Sequence, residues 1–104
     1  MATIFTLHVG FADSYGNDGN AILNRSILFS CINTIEFDGY TVVDTVGCYQ
    51  GLQESGANVI FIGIGIRETS ELLLKVRALA NLYKAEASQS EVWLTCRTET
   101  LDIL

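Results

Sequence analysis

Between two apolar runs, YTVVDTV and ANVIFIGIGI, the chain carries GCYQGLQES, Gly47 to Ser55. Both flanks have the composition of strands, so the stretch between them is expected to cap a hairpin. A turn that only reverses the chain is served by glycine and small polar residues. This one holds a phenol, Tyr49, and a carboxylate, Glu54, five positions apart. On opposite sides of a tight turn the two can approach one another, and they form the first candidate pair for chemistry. Asp13, in a polar loop near the N-terminus, is a further candidate for ligand contact.

Other chemistries lack their parts. His8 is the single histidine, and it alternates onto a strand face where a structural hydrogen bond accounts for it. No hydrolytic triad follows. With only the scattered Cys31, Cys48 and Cys96 beside it, no transition-metal set follows either. The absence of any C-x-x-C and the odd cysteine number point to reduced, structural thiols. GIGIRE, Gly63 to Glu68, lacks the third glycine of a dinucleotide fingerprint and the Gly-Lys-Ser/Thr of a P-loop. Its glycines fit close backbone approach or strand curvature better. NDGN, Asn17 to Asn20, lacks the spaced oxygen ligands of a calcium loop and reads as a turn with a helix cap. Glu68, Glu71 and Glu86 lie on or beside a helix, on its solvated side. No metal and no cofactor are expected.

The elements that must position the pair follow from periodicity. Phe5, Leu7, Val9 and Phe11 alternate with Ile4, Thr6 and His8, the period of a strand. After the polar loop Ala12 to Asn20, the residues Ala21, Ile22, Leu23, Ile27, Leu28, Cys31, Ile32 and Ile35 recur at helical spacing, with Asp18 or Asn20 as N-cap. FDGY ends that helix and opens a second strand, Tyr40 to Gln50. NVIFIGIGI makes a third strand, rich in β-branched residues. A second helix is predicted from about Ser70 to Ala85, capped by Thr69, with Leu72, Leu73, Val76, Leu79, Ala80 and Tyr83 on one stripe. SEVWLTCRT gives a fourth strand. The order βαββαβ is that of a ferredoxin-like α+β sandwich.

The chain has 104 residues, 49% of them hydrophobic, which fits a single domain over residues 1–104 with a packed core. No apolar run approaches the roughly 20 residues of a membrane span, and MATIFTLHVG has no basic stretch of a signal peptide. A cytoplasmic protein without membrane contact is expected. The formal net charge of −6 argues against nucleic acid as a partner and favours cationic small molecules. Helices on one face of a four-stranded sheet leave the other bare, and a bare face should read polar. Here Val59 and Phe61 alternate with Ile60, Ile62, Ile64 and Ile66, and Val92, Leu94 and Cys96 with Trp93, so both faces are apolar. A closed homo-oligomer that buries the open sheet face between subunits is expected, with ligand clefts at the subunit edges.

The sequence resembles the bacteriophage enzymes that destroy S-adenosylmethionine, described as hydrolases and as lyases. The likeness rests on a strand ending in HVGF, a long helix, the strand with TVGCYQG and a glutamate leading into the third strand, ESGANVIFI. A helix like LLLKVRALANLY and a last strand like EVWLTCRT complete it. The resemblance implies a PII-like trimer that binds S-adenosylmethionine between subunits, with Tyr49 and Glu54 as the functional pair. It also implies a part in phage defence against restriction. The substrate holds its own electrophile, a sulfonium, and its own nucleophile, the methionine carboxylate. Attack of that carboxylate on the carbon gamma to it releases 5′-methylthioadenosine and forms homoserine lactone, with no metal or general base. In that reaction Glu54 would hold the substrate ammonium, Tyr49 would use its hydroxyl or its ring, and Phe11 and Asp13 would wall the adenosine. Water competing for the same carbon would give open homoserine instead. A non-catalytic PII-like module for an adenosine-containing effector, and a purely structural oligomer, are the alternative readings.

Overall fold

The computed structural model describes residues 1–12, 20–49 and 51–104, with Tyr49 described through its backbone. Asp13 and Asp18 lie outside the described residues. The elements run β1 (Ala2–Gly10), α1 (Ala21–Ile35), β2 (Thr41–Tyr49), β3 (Leu52–Ile64), α2 (Ile66–Glu86) and β4 (Trp93–Glu99). The strands form one sheet in the order β2-β3-β1-β4, and every neighbouring pair is antiparallel. This is the ferredoxin-like α+β arrangement that the order of elements predicts.

The period of two in the central strands decides which residues meet the helices. Phe5 pairs with Phe61, Leu7 with Val59 and Val9 with Ala57, and all of these side chains are buried. Leu28, Cys31 and Ile32 from α1 and Val76, Leu79 and Tyr83 from α2 close over them in one cluster. Each fully buried side chain of this size contributes about 1.5–3 kcal/mol relative to an exposed one. The register also fixes the other face, where Ile4 pairs with Ile62 and Thr6 with Ile60. Ile62 and Ile64 are 48% and 47% exposed, and Trp93 at the end of β4 is 66% exposed. The single chain therefore presents exposed isoleucines and a tryptophan on its open sheet face, beside polar residues that the register puts on the same side, among them Thr6, His8, Thr95, Arg97 and Glu99. His8 lies on it, with Nε2 3.0 Å from Thr95 Oγ1, a structural partner of the kind expected.

Several boundaries differ from the expectation. The stretch Gly47 to Ser55 does not cap the hairpin but belongs mostly to the ladder, with Gly47 opposite Glu54, Cys48 opposite Gln53 and Tyr49 opposite Leu52. β2 ends at Tyr49 and β3 begins at Leu52, and Gly51 has φ +79°, a conformation that glycine adopts without strain. Polar residues are tolerated in this ladder because its outer end is exposed. The second helix begins at Ile66 rather than Ser70. Gly65, with φ +83°, turns the chain out of β3, and Thr69 is already within the first turn, donating its N–H to the Gly65 carbonyl at 3.0 Å. Gly63 permits the close approach predicted for it, because a Cβ there would meet Thr69 Oγ1 at 2.8 Å. In α1 the apolar stripe holds from Ile27 to Ile35, but Ile22 is 89% and Leu23 58% exposed, while Asn24 is buried in their place. Asn20 stands at the N-cap and makes no side-chain capping bond. Among the described residues no helix is long and apolar enough to cross a membrane.

β1 and β3 approach closely at Gly56, where a Cβ would fall on the carbonyl oxygen of Val9. Backbone cannot rotate away as a side chain can, so Gly56→Ala should destabilise the protein by about 1–3 kcal/mol. Gly39 has no atom within 4 Å of its would-be Cβ, and Gly39→Ala should leave stability unchanged or raise it by up to about 1 kcal/mol. Urea unfolding of the two variants measures the contrast.

Candidate functional site at the end of β1

β4 reaches β1 only as far as the pair His8–Trp93, so β1 outruns its neighbour. The residues beyond His8 bury carbonyl groups that have no strand to bond to on that side, and such groups must find partners. Three side chains from separate parts of the chain supply them. The Tyr83 hydroxyl of α2 donates to the Gly10 carbonyl at 2.5 Å. Asn24 Nδ2 of α1 donates to the Phe11 carbonyl at 2.7 Å, and Gln89 Nε2, just past α2, donates to the Ala12 carbonyl at 2.6 Å. On the opposite edge the Phe11 N–H donates to the Ser55 carbonyl at 2.9 Å, extending the ladder with β3.

Glu54 lies beside this fixed end. Its backbone pairs with Gly47, and its half-buried side chain leans along the sheet until the carboxylate rests on Gly10, in the space that a Cβ at that position would fill. By register Gly10 pairs with Gly56, two positions along β3 from Glu54, so Glu54 and Gly10 share the sheet face turned away from the helices. The phenol of Tyr83 is wholly buried. Burial first, then the negative charges of Glu54 and Cys31, push its pKa above the ordinary tyrosine range. It therefore remains a neutral hydrogen-bond donor to the strand on which the carboxylate rests.

The predicted site residues are distributed as follows. Tyr49 and Glu54 belong to one hairpin, but they are not direct partners: Tyr49 is opposite Leu52 and Glu54 opposite Gly47. Phe11 is adjacent to the site in sequence, yet its side chain is 2% exposed and part of the core. Cys31 is buried, and Cys48 and Cys96 are exposed free thiols. Burial, then Glu86, raises the Cys31 pKa. Among the described residues no three His, Cys, Asp or Glu side chains gather into a possible metal site. Gly10, Asn24, Tyr83 and Gln89 were not singled out by sequence for this role, although Tyr83 was expected in the core.

Two depressions of the described surface lie away from Glu54. One of about 210 Å³ lies between the start of α1 and the end of α2, beside Asn24, Glu86 and Ser88. The other, about 400 Å³, lies at the far end of the molecule by Met1, Thr3 and Ile66. Glu54 stands half-buried on the open sheet face, near the outer end of β3.

No family model and no curated protein matches the chain. Among solved structures, it is similar to a phage SAM lyase in complex with S-methyl-5′-thioadenosine, with a TM-score of 0.65 and 16% identity over 92% of this chain and 80% of that one. It is also similar to the de novo designed protein Foldit4, with a TM-score of 0.57 and 10% identity over 96% of this chain and all of the other, 100%. At these identities the likeness is one of fold, and a fold shared with a designed protein carries no activity by itself.

The raised pKa of Tyr83 gives a signed expectation. An unfolded tyrosine ionises near pH ~10, while the folded phenol holds its proton. The unfolded state then releases a proton first, so the stabilisation is complete below that pH and is lost as pH climbs toward the folded value. Unfolding curves between pH 8 and 11 should show stability falling at the alkaline end, with a shallower fall in Tyr83→Phe, which should also lose about 1 kcal/mol at neutral pH with the hydrogen bond.

Proposed function

We propose that the chain is an S-adenosylmethionine lyase whose site is completed between subunits. The observation that carries this reading is the Glu54 carboxylate seated on Gly10 on an open sheet face with exposed isoleucines, in a chain that shares its fold with a phage SAM lyase. A carboxylate on a partly dry surface is a receptor for an ammonium or sulfonium group, and the acidic balance of the chain, −6, draws cations toward it.

In this reading Glu54 holds the substrate ammonium and keeps it from pairing with the substrate carboxylate. The freed carboxylate attacks its own gamma carbon. The new C–O bond closes the lactone as the C–S bond breaks, and the bonding pair leaves with sulfur, turning the sulfonium into the neutral thioether of 5′-methylthioadenosine. No proton moves and no external base is needed. Folding the substrate into that geometry is worth up to about 7–11 kcal/mol in favourable intramolecular cases. Opposite charges are lost in the transition state, so a seam that excludes water opposes the step less than bulk solvent does. Tyr49, on the same hairpin, faces the sulfonium with its ring or a polar group with its hydroxyl. Phe11 contributes through its backbone, since its ring belongs to the core, and Asp13, two positions further along the chain, is a ligand contact.

The covering of the open face by other copies is part of the proposal. Ile62 and Ile64 on β3 and Trp93 at the start of β4 are exposed apolar side chains on this face of the kind that drive association, and a ring of three subunits would place each Glu54 near a seam. With β2 ending at Tyr49 and β3 beginning at Leu52, there is no long loop through which a pure signalling module would report binding.

Purified protein incubated with S-adenosylmethionine should release 5′-methylthioadenosine, detected by chromatography. Glu54→Gln should lower that release by about a hundredfold or more through loss of a charge-assisted contact and of substrate positioning, with sedimentation unchanged. Near-normal turnover in that variant refutes the role of Glu54. Ile62→Lys should break the assembly, and a wild-type protein that sediments as an 11.4 kDa monomer at micromolar concentration removes the shared site.

A further inference from the structure

Glycine inside a strand lowers stability by about 0.5–1 kcal/mol relative to alanine, so its presence at position 10 needs a cause. The backbone does not require it, because the described glycines with positive φ are Gly51 and Gly65. Nor does a neighbouring strand press on it, as Val9 presses on Gly56. The three atoms nearest to the absent Gly10 side chain all belong to one group, the carboxylate of Glu54. On the other side of the strand, where β4 no longer reaches, the Tyr83 hydroxyl holds the Gly10 carbonyl. A bare strand segment is thus fixed from below and occupied from above by a single acidic group.

We infer that Gly10 and Tyr83 are positioning residues for Glu54: the missing Cβ lets the carboxylate settle onto the strand, and the hydroxyl holds that strand at the right height. The inference rests on the reading that Glu54 receives the substrate ammonium. A methyl group at position 10 would push the carboxylate off the sheet and into the volume where that ammonium must sit. Because the displaced atoms are the end of a flexible side chain, the sheet itself need not shift. The effect should therefore fall on ligands that carry the ammonium and spare those that lack it.

The test uses two uncleaved probes. S-adenosylhomocysteine carries the ammonium and carboxylate without the sulfonium, whereas 5′-methylthioadenosine carries neither charged group. Calorimetry is performed on wild type, Gly10→Ala, Glu54→Gln and the double variant. Gly10→Ala should weaken S-adenosylhomocysteine by about tenfold to a hundredfold and change 5′-methylthioadenosine by less than about twofold. In the Glu54→Gln background the same substitution should change either probe by less than about twofold, because the group it displaces no longer carries charge. Equal losses for both probes, or equal losses in both backgrounds, mean a structural role and overturn the inference, as does wild-type binding by Gly10→Ala. Wild-type binding of S-adenosylhomocysteine by Glu54→Gln instead defeats the underlying reading. Should Gly10→Ala not fold, Tyr83→Phe decides: it keeps the ring in the core and should weaken S-adenosylhomocysteine several-fold more than 5′-methylthioadenosine, and an equal effect on the two overturns the inference.

Discussion

A strand longer than its neighbour leaves backbone groups that the sheet cannot satisfy, and in this protein the arrangement around the candidate site depends on that mismatch. β1 continues past the last pair with β4, and its final carbonyls are bonded by Tyr83, Asn24 and Gln89. An unpaired buried carbonyl costs about 1–3 kcal/mol, so each of these side chains is constrained by the strand as much as the strand is by them. Both helices are thereby tied to one end of one strand.

The same strand end borders two environments. Beneath it lies the cluster of Leu28, Phe61, Val76, Leu79 and their neighbours, and above it an open face with exposed isoleucines. Glycine thins the sheet to backbone alone at Gly10, and the Glu54 carboxylate resting there adds to burial, the larger cause, in raising the pKa of the Tyr83 phenol.

The order of elements, the helix-facing residues of β1 and β3, and the outward isoleucines of β3 were legible in the sequence, because each depends on periodicity over several residues; the expected apolar open face holds less well on β4, where Trp93 is followed on that side by Thr95, Arg97 and Glu99. The ends of elements were less so. LQES lacks the β-branched character of the run that follows it, yet it pairs as strand, because ladder hydrogen bonds depend on the partner β2 rather than on composition. Ile66 looked like the continuation of an apolar strand, whereas Gly65 turns the chain by its positive φ, which composition does not encode. Glu54 could be picked out as a carboxylate near a turn, but its actual neighbour, Gly10, is distant in sequence and had no side chain to attract notice. Asn24 carried a readable signal: a polar residue at i of an i, i+4, i+7 stripe completed by Leu28 and Cys31 must have a buried partner. Tyr83 carried another, since a phenol in a core stripe needs an acceptor.

What distinguishes this chain from an inert sandwich of the same topology is therefore not the sheet or the helices. A designed protein reproduces that architecture, so the architecture needs no more than pattern and packing. Function must come from departures from the most stable choice. A glycine within a strand, a carboxylate held against backbone rather than extended into water, and isoleucines left facing outward each lower the stability of a single copy. The first two become useful together only if the carboxylate must stand at a fixed height, and the third only if another surface covers it. All three departures fit the proposed function, in which the edge would hold a cation where copies meet and a positively charged sulfur compound with its own nucleophile would need little more than that holding.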